Sequence, residues 1–249
     1  DDRITAPLAA SAKDEEVLII GSNSKLGLIV NELPLQVKEV VMAGNRHQEE
    51  KAAMCKKIRG DIRYTLVNED VMDFDKLAEL VEDIDHVIVL SDYSYDEETS
   101  DIRNMMLIMN LRELRIRHDQ TFSITSEMRR DDNRVLVTGS ESIDFIVSTN
   151  MSSMVLAQVA LEPMLYDTFH ELLSNEGSEF LLKEAGILEN CVGVEKTVAE
   201  LRRAAIHEDG ILLGYITKEE GREKTYINPE LSKEVTLKAE DKLIVIMKD

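Results

Sequence analysis

Short apolar runs rich in Val and Ile recur through the first 150 residues, at 17–21 (VLIIG), 37–43 (VKEVVMA), 63–67 (RYTLV), 86–91 (HVIVLS), 121–125 (TFSIT) and 143–148 (IDFIVS). Runs of this length and composition suit strands buried on both faces of a parallel sheet. Between them the apolar positions switch to helical spacing, predicting helices over 24–33, 47–58, 73–84 and 97–116. In the third of these, Leu77, Leu80, Val81 and Ile84 fall at i, i+3, i+4 and i+7, one stripe to face a sheet, with Asp73 placed to cap its start. The stretch 133–138 (NRVLVT) fits a short helix or a strand. Alternating strand and helix with right-handed crossovers gives a doubly wound parallel sheet.

From residue 149 the pattern changes. The stretch "TNMSSMVLAQVALEPMLYDTFHELL" is helical with a break at Pro163, and Met151, Met154, Val155, Val159 and Met164 line a broad apolar face. That face either packs on its own domain or is exchanged between two subunits. Beyond 175, a helical piece at 198–205 and the strand-like "ILLGYIT", "TYIN" and "DKLIVIMK" read as a small α+β lobe. The expected architecture is thus α/β, a Rossmann-like doubly wound sheet over 15–148, crossover helices over 149–174 and a C-terminal lobe over 175–249. Residues 1–14 read as a linker.

Apolar residues make up 43% of the 249, enough for a sizeable core, and no run approaches the roughly 18 to 20 apolar residues of a membrane span. A soluble fragment is therefore expected, and its first residues lack the regions of a secretory signal. Acidic residues outnumber basic ones 49 to 29, a formal charge of −20 that repels nucleic-acid backbones and welcomes cations, or simply confers solubility. Cys55 and Cys191 are far apart and the five histidines are scattered, which gives no zinc spacing.

Two loops carry candidate chemistry. After the first strand, Gly21 takes the place of the first glycine of a dinucleotide turn, Gly27 lies one place beyond the third, and Asn23 stands where the second should be bare. Lys25 and the free N–H groups at the helix start could still meet an anion. Arg46, after the second strand, could face a phosphate or be an ordinary surface charge. Asn23, Lys25, Gly21, Gly27 and Arg46 therefore outline a vestigial nucleotide crevice, and a nucleotide is not the expected guest. No acid or base stands out for catalysis. Opposite, "LSDYSYDEETSD" (90–101) crowds Asp92, Asp96, Glu97, Glu98 and Asp101 where a pyrophosphate would lie. Asp92, Asp96, Glu98 and Asp101 could offer hard oxygens to Ca²⁺, while Glu97, Glu98 and Asp101 also suit the positive end of a helix dipole.

Several of these stretches resemble the cytosolic regulatory region of ion channels of the Castor and Pollux type, within the wider RCK (TrkA-N/TrkA-C-like) family. Gly21, Lys25, Leu26 and Gly27 resemble that group's G-x-x-x-K-L-G signature. Asp92 matches its acid at a strand end, and Ser100-Asp101-x-Arg103 its following helix start. "GSEFLLKE" (177–184) and "YINPELSKEVTLKAEDKLIVI" (226–246, through Asn228, Pro229 and Asp241) resemble its later motifs. Ser22 replaces the group's usual Trp, and Gly44-Asn45 its usual acid.

The resemblance implies a non-enzymatic gating-ring module on the cytoplasmic face of a membrane, attached through the linker to its own transmembrane pore domain. It implies homodimers assembling into a ring beneath a tetrameric pore, responding to Ca²⁺ or another divalent cation and binding no nucleic acid. The alternative is a nucleotide-binding regulatory subunit of a potassium transport system.

Overall fold

Val17, Leu18, Ile19 and Ile20 are each 1% exposed or less, as a strand with neighbours on both edges and helices on both faces must be. They belong to β1 (Glu15–Ile20), the centre of a parallel sheet completed by β2 (Val37–Ala43), β3 (Arg63–Val67), β4 (His86–Val89), β5 (Ser123–Met128) and β6 (Phe145–Val147). Its order is β3-β2-β1-β4-β5-β6, so the direction of winding reverses between β1 and β4. This computed structural model describes residues 14–44, 48–55, 58–130, 145–174, 177–188, 190–219 and 222–248. The expected element at 133–138 lies outside them.

Helices α1 (Leu26–Asn31), α2 (Gln48–Cys55), α3 (Phe74–Leu80) and α4 (Glu97–Arg117) follow the first four strands. Because side chains alternate along a strand, Leu18 and Ile20 join one apolar layer with Leu77, Val81, Leu107 and Ile108, while Val17 and Ile19 join another with Leu26 and Val30. The expected stripe of the third helix is thus in the core, and Asp73 caps it by accepting from the Asp75 and Lys76 N–H groups. One strand departs from expectation. β3 is an edge, and its Arg63, Tyr64 and Thr65 are exposed instead of buried on both faces.

By its internal contacts the chain divides into two units, 1–154 and 155–249. The division falls within α5 (Ser148–Leu161), which ends before Pro163 and is followed by α6 (Leu165–Leu173). The second unit adds β7 (Ser178–Glu184), a 3-10 turn (Ala185–Ile187), β8 (Lys196–Thr197), α7 (Val198–His207), β9 (Ile211–Glu219), β10 (Arg222–Ile227), β11 (Glu234–Val235) and β12 (Lys242–Lys248).

Its antiparallel sheet runs β10-β9-β12-β7. One face, through Leu212, Tyr215, Leu243 and Val245, packs with Val198, Leu201 and Ala205 of α7. That helix starts in a capping box, Thr197 accepting from the Glu200 N–H while the Glu200 carboxylate accepts from the Thr197 N–H at 2.8 Å. At Gly214 a side chain would collide with the Tyr226 carbonyl of the neighbouring strand, so only glycine lets β9 and β10 pair there.

If α3 is pinned to the sheet by its stripe, Leu77→Ala should lower the unfolding free energy by about 2–5 kcal/mol, read from urea melts. A loss under about 1 kcal/mol, the size of an exposed-site change, would contradict the buried stripe.

Candidate functional site

The winding reverses between β1 and β4, and sheets of this order bind ligands in a crevice at the carboxyl ends of their strands at that point. Gly21 turns the chain out of β1 at φ +92°, and a Cβ there would stand 2.8 Å from the Leu90 carbonyl oxygen. Glycine is required at this position twice over, by backbone angle and by space.

Asn23 follows, only 6% exposed, and its side chain points inward. Its Oδ1 accepts from the Lys25 N–H at 2.9 Å, so its Nδ2 faces the other way and donates to the Ser91 carbonyl (2.9 Å) and to Glu127 Oε2 (2.8 Å). A carboxylate has only acceptors to offer, which fixes the orientation of the amide.

Glu127, near the end of β5 and 7% exposed, is the centre of the site. Its Oε1 accepts from Lys25 Nζ at 2.6 Å and from the Tyr93 hydroxyl at 2.9 Å. Its Oε2 accepts from Asn23 Nδ2 and from the Ser91 N–H at 3.1 Å. Its main-chain carbonyl accepts from the Ser91 hydroxyl (3.1 Å) and from Asn104 Nδ2 of α4 (2.7 Å). Desolvation pulls the Lys25 pKa down, but the bonds to Glu127 and Tyr93 outweigh it and hold the pKa above its ordinary 10.5. Asn23 and Lys25 are therefore brought together, on a partner that the sequence patterns did not single out. The overlooked signal is an acid at the carboxyl end of a central strand, in "SITSEM" (123–128).

Of the other expected crevice residues, Gly27 is under no packing constraint, since a Cβ there would meet nothing within 4 Å. The close helix–strand approach that a third glycine serves is not made at this position. Arg46 lies outside the described residues.

Near the end of β2, Lys51 of α2 is 1% exposed, and its ammonium donates to the carbonyls of Ala43 (3.1 Å) and Gly44 (3.3 Å). Burial pushes its pKa below the ordinary 10.5, against the pull of Asp92. This lysine was also missed, because in "QEEKAAMC" it reads as a solvated charge.

Asp92 and Asp96 accept bonds from their own loop and helix start. Asp92 Oδ1 accepts from the Ser94 N–H (2.9 Å) and hydroxyl (2.6 Å). Asp96 caps α4 by accepting from the Thr99 N–H at 3.0 Å, and that bond holds its carboxyl below the ordinary 3.8. Glu97 and Glu98 occupy the first turn of α4, and both are exposed. Asp101 is fully buried and accepts from the Arg129 and Arg130 N–H groups at 2.9 and 3.0 Å, tying α4 to the chain beyond β5. The expected convergence of Asp92, Asp96, Glu98 and Asp101 is not made. Among the described residues no three Asp, Glu, His or Cys side chains are grouped to hold a metal ion.

No family model matches the chain. The chain is 27% identical over 184 residues to the probable ion channel POLLUX of Arabidopsis thaliana, a match covering 69% of this chain and 22% of the relative. It is 25% identical over 179 residues to the ion channel CASTOR of Lotus japonicus, covering 60% and 20%. Its sequence relatives are Castor- and Pollux-type ion channels. This chain spans about a fifth of their length. The fold is that of the human SLO3 gating ring, with a TM-score of 0.63 at 15% identity over 94% of this chain and 44% of that one.

The bonding of this Castor- and Pollux-related chain separates structural from metal-binding carboxylates. Asp101→Asn turns one of two buried acceptors into a donor facing an N–H, and should cost about 1–3 kcal/mol in urea melts, equally with and without Ca²⁺. A loss seen only with Ca²⁺ would make Asp101 a ligand.

Asp96, with its lowered pKa, stabilises the folded chain fully above the ordinary value, and that share is lost as pH falls through the folded one. Asn caps as well as Asp. Asp96→Asn should therefore leave stability at pH 7 nearly unchanged and flatten its fall below about pH 4, measured by melts across pH.

Proposed function

We propose that the chain is a cytosolic, ligand-sensing regulatory module of a cation channel, a part of a gating ring that transmits ligand occupancy to a pore domain in the same polypeptide. The observation that carries this reading is the likeness to Castor and Pollux channels over 60–69% of the chain, joined to a fold shared with a gating ring. Among the described residues no helix is long and apolar enough to cross a membrane.

A closed ring built from dimers requires each chain to present two separate self-associating surfaces. Among the described residues, α4 and the α5–α6 pair each carry several exposed apolar side chains. On α4, Ile102, Met106, Met109 and Ile116 are 46–77% exposed, on the side away from buried Leu107, Ile108, Leu111 and Leu114. On α5, Met151, Met154, Leu156 and Leu161 are 52–85% exposed. Apolar surface in that quantity marks interaction sites in soluble chains. We assign α5 and α6 to the dimer and α4 to the contact between dimers.

The ligand of this reading is Ca²⁺ or another divalent cation. Its support is the charge of −20 and the carboxylates of residues 92–101, of which Glu97 and Glu98 keep their side chains exposed. A cation that binds one ring shape tenfold more tightly shifts the equilibrium by about 1.4 kcal/mol per site. The nucleotide-sensing alternative would require Asn23 and Lys25 to leave Glu127.

Sedimentation should find a dimer at micromolar concentration that Leu156→Glu with Leu161→Glu weakens at least tenfold; a monomeric parent chain would remove the assembly reading. Calorimetry should show Ca²⁺ binding that Asp92→Asn with Glu98→Gln weakens at least tenfold, and a silent parent chain would remove Ca²⁺.

A further inference from the structure

We propose that Glu127 is a tethered anion. Its carboxylate fills, from within the chain, the anion position of the β1/β4 crevice, and the cradle around it is a site for the carboxylate or phosphate class of ligand.

In sheets of this order the pyrophosphate of a ligand rests beside the β1–α1 turn, met by main-chain N–H groups and nearby cationic or polar side chains. In this chain a negative group does lie beside that turn, and it is the Glu127 carboxylate. Two donors meet each of its oxygens, Lys25 Nζ and the Tyr93 hydroxyl on Oε1, Asn23 Nδ2 and the Ser91 N–H on Oε2. They come from two segments, the turn after β1 and the loop after β4, while the acceptor comes from β5. An ammonium, an amide, a phenol and a main-chain N–H converging on one buried carboxylate make charge-assisted bonds of the kind that anion sites use.

The cradle is already assembled, and Asn23, which takes the space a bare glycine would leave to a diphosphate, is one of its donors. Tethering decides who occupies it. A carboxylate on the same fold acts at an effective concentration of roughly millimolar or more, while the charge of −20 depletes free anions near the surface. Free anions are thereby outcompeted while Glu127 is in place. This inference is independent of whether the module gates a pore.

The test compares the parent chain with Glu127→Ala, titrated with inorganic pyrophosphate or acetate at constant ionic strength, by calorimetry and thermal melts. The parent should show no saturable binding. Glu127→Ala should melt lower, bind one of the two anions at least tenfold more tightly than the parent does, and regain part of its melting temperature. The gain should vanish in Glu127→Ala with Lys25→Met. Tighter binding of acetate than pyrophosphate would mark the cradle as carboxylate-shaped, and the reverse as phosphate-shaped; either supports the proposal.

A folded Glu127→Ala that ignores both anions overturns it, as does pyrophosphate binding equally to the parent. Should Glu127→Ala not fold unaided, it is refolded from urea with either anion and with sodium chloride of equal ionic strength. Recovery only with pyrophosphate or acetate supports the tethered anion, and equal failure in all three overturns it.

Discussion

A carboxylate taken out of water must be surrounded by donors or it destabilises the fold that buries it. Glu127 imposes that demand where β1, β4 and β5 end together. Meeting it fixes the amide of Asn23, the ammonium of Lys25, the Ser91 N–H and the Tyr93 hydroxyl in one arrangement. The Glu127 carbonyl then takes Asn104, which sets the third turn of α4 against the same point. Removing one partner from a buried charged pair costs about 3–5 kcal/mol. Lys25 is 40% exposed and solvent screens its share, so most of that dependence rests on the buried amide and N–H donors. The network is bonded through main chain as well as side chain, so it specifies the turn after β1 and not merely its charge.

The sheet was legible because its strands are short apolar runs whose burial on two faces leaves little choice of residue. β2 begins and ends where the run VKEVVMA does, and the strand order is that of a doubly wound sheet. The exception, β3, is informative. Its run RYTLV mixes polar and apolar residues, as an edge strand with a wet face should, and that mixture was visible beforehand.

The site was less legible for a different reason. Asn23 was recognised as an obstacle to a pyrophosphate but not as a ligand of another residue, because its partner lies 104 positions away. Asp101 likewise reaches N–H groups 28 and 29 positions on. Local patterns report local bonds: the caps at Asp73 and Thr197 are written within four residues, and tertiary bonds of a charged side chain leave no such trace. An isolated Glu, Lys or Asp in a chain this acidic reads as solvated, which hid Glu127 and Lys51 alike.

The charge of −20 and the exposed apolar helices pull against one another in any assembly. Burying apolar surface favours association, while two strongly acidic chains repel over roughly 8–10 Å at physiological salt. A divalent cation lowers that repulsion whether it is coordinated or merely concentrated near the surface, so a cation-sensitive association does not by itself imply a coordinated site. The two causes separate by stoichiometry and by salt. A coordinated ion saturates at a fixed number per chain and resists added monovalent salt, whereas screening is matched by enough sodium chloride. With Asp96 and Asp101 spent on N–H groups, a coordinated cation would have to find its oxygens among the carboxylates still facing water.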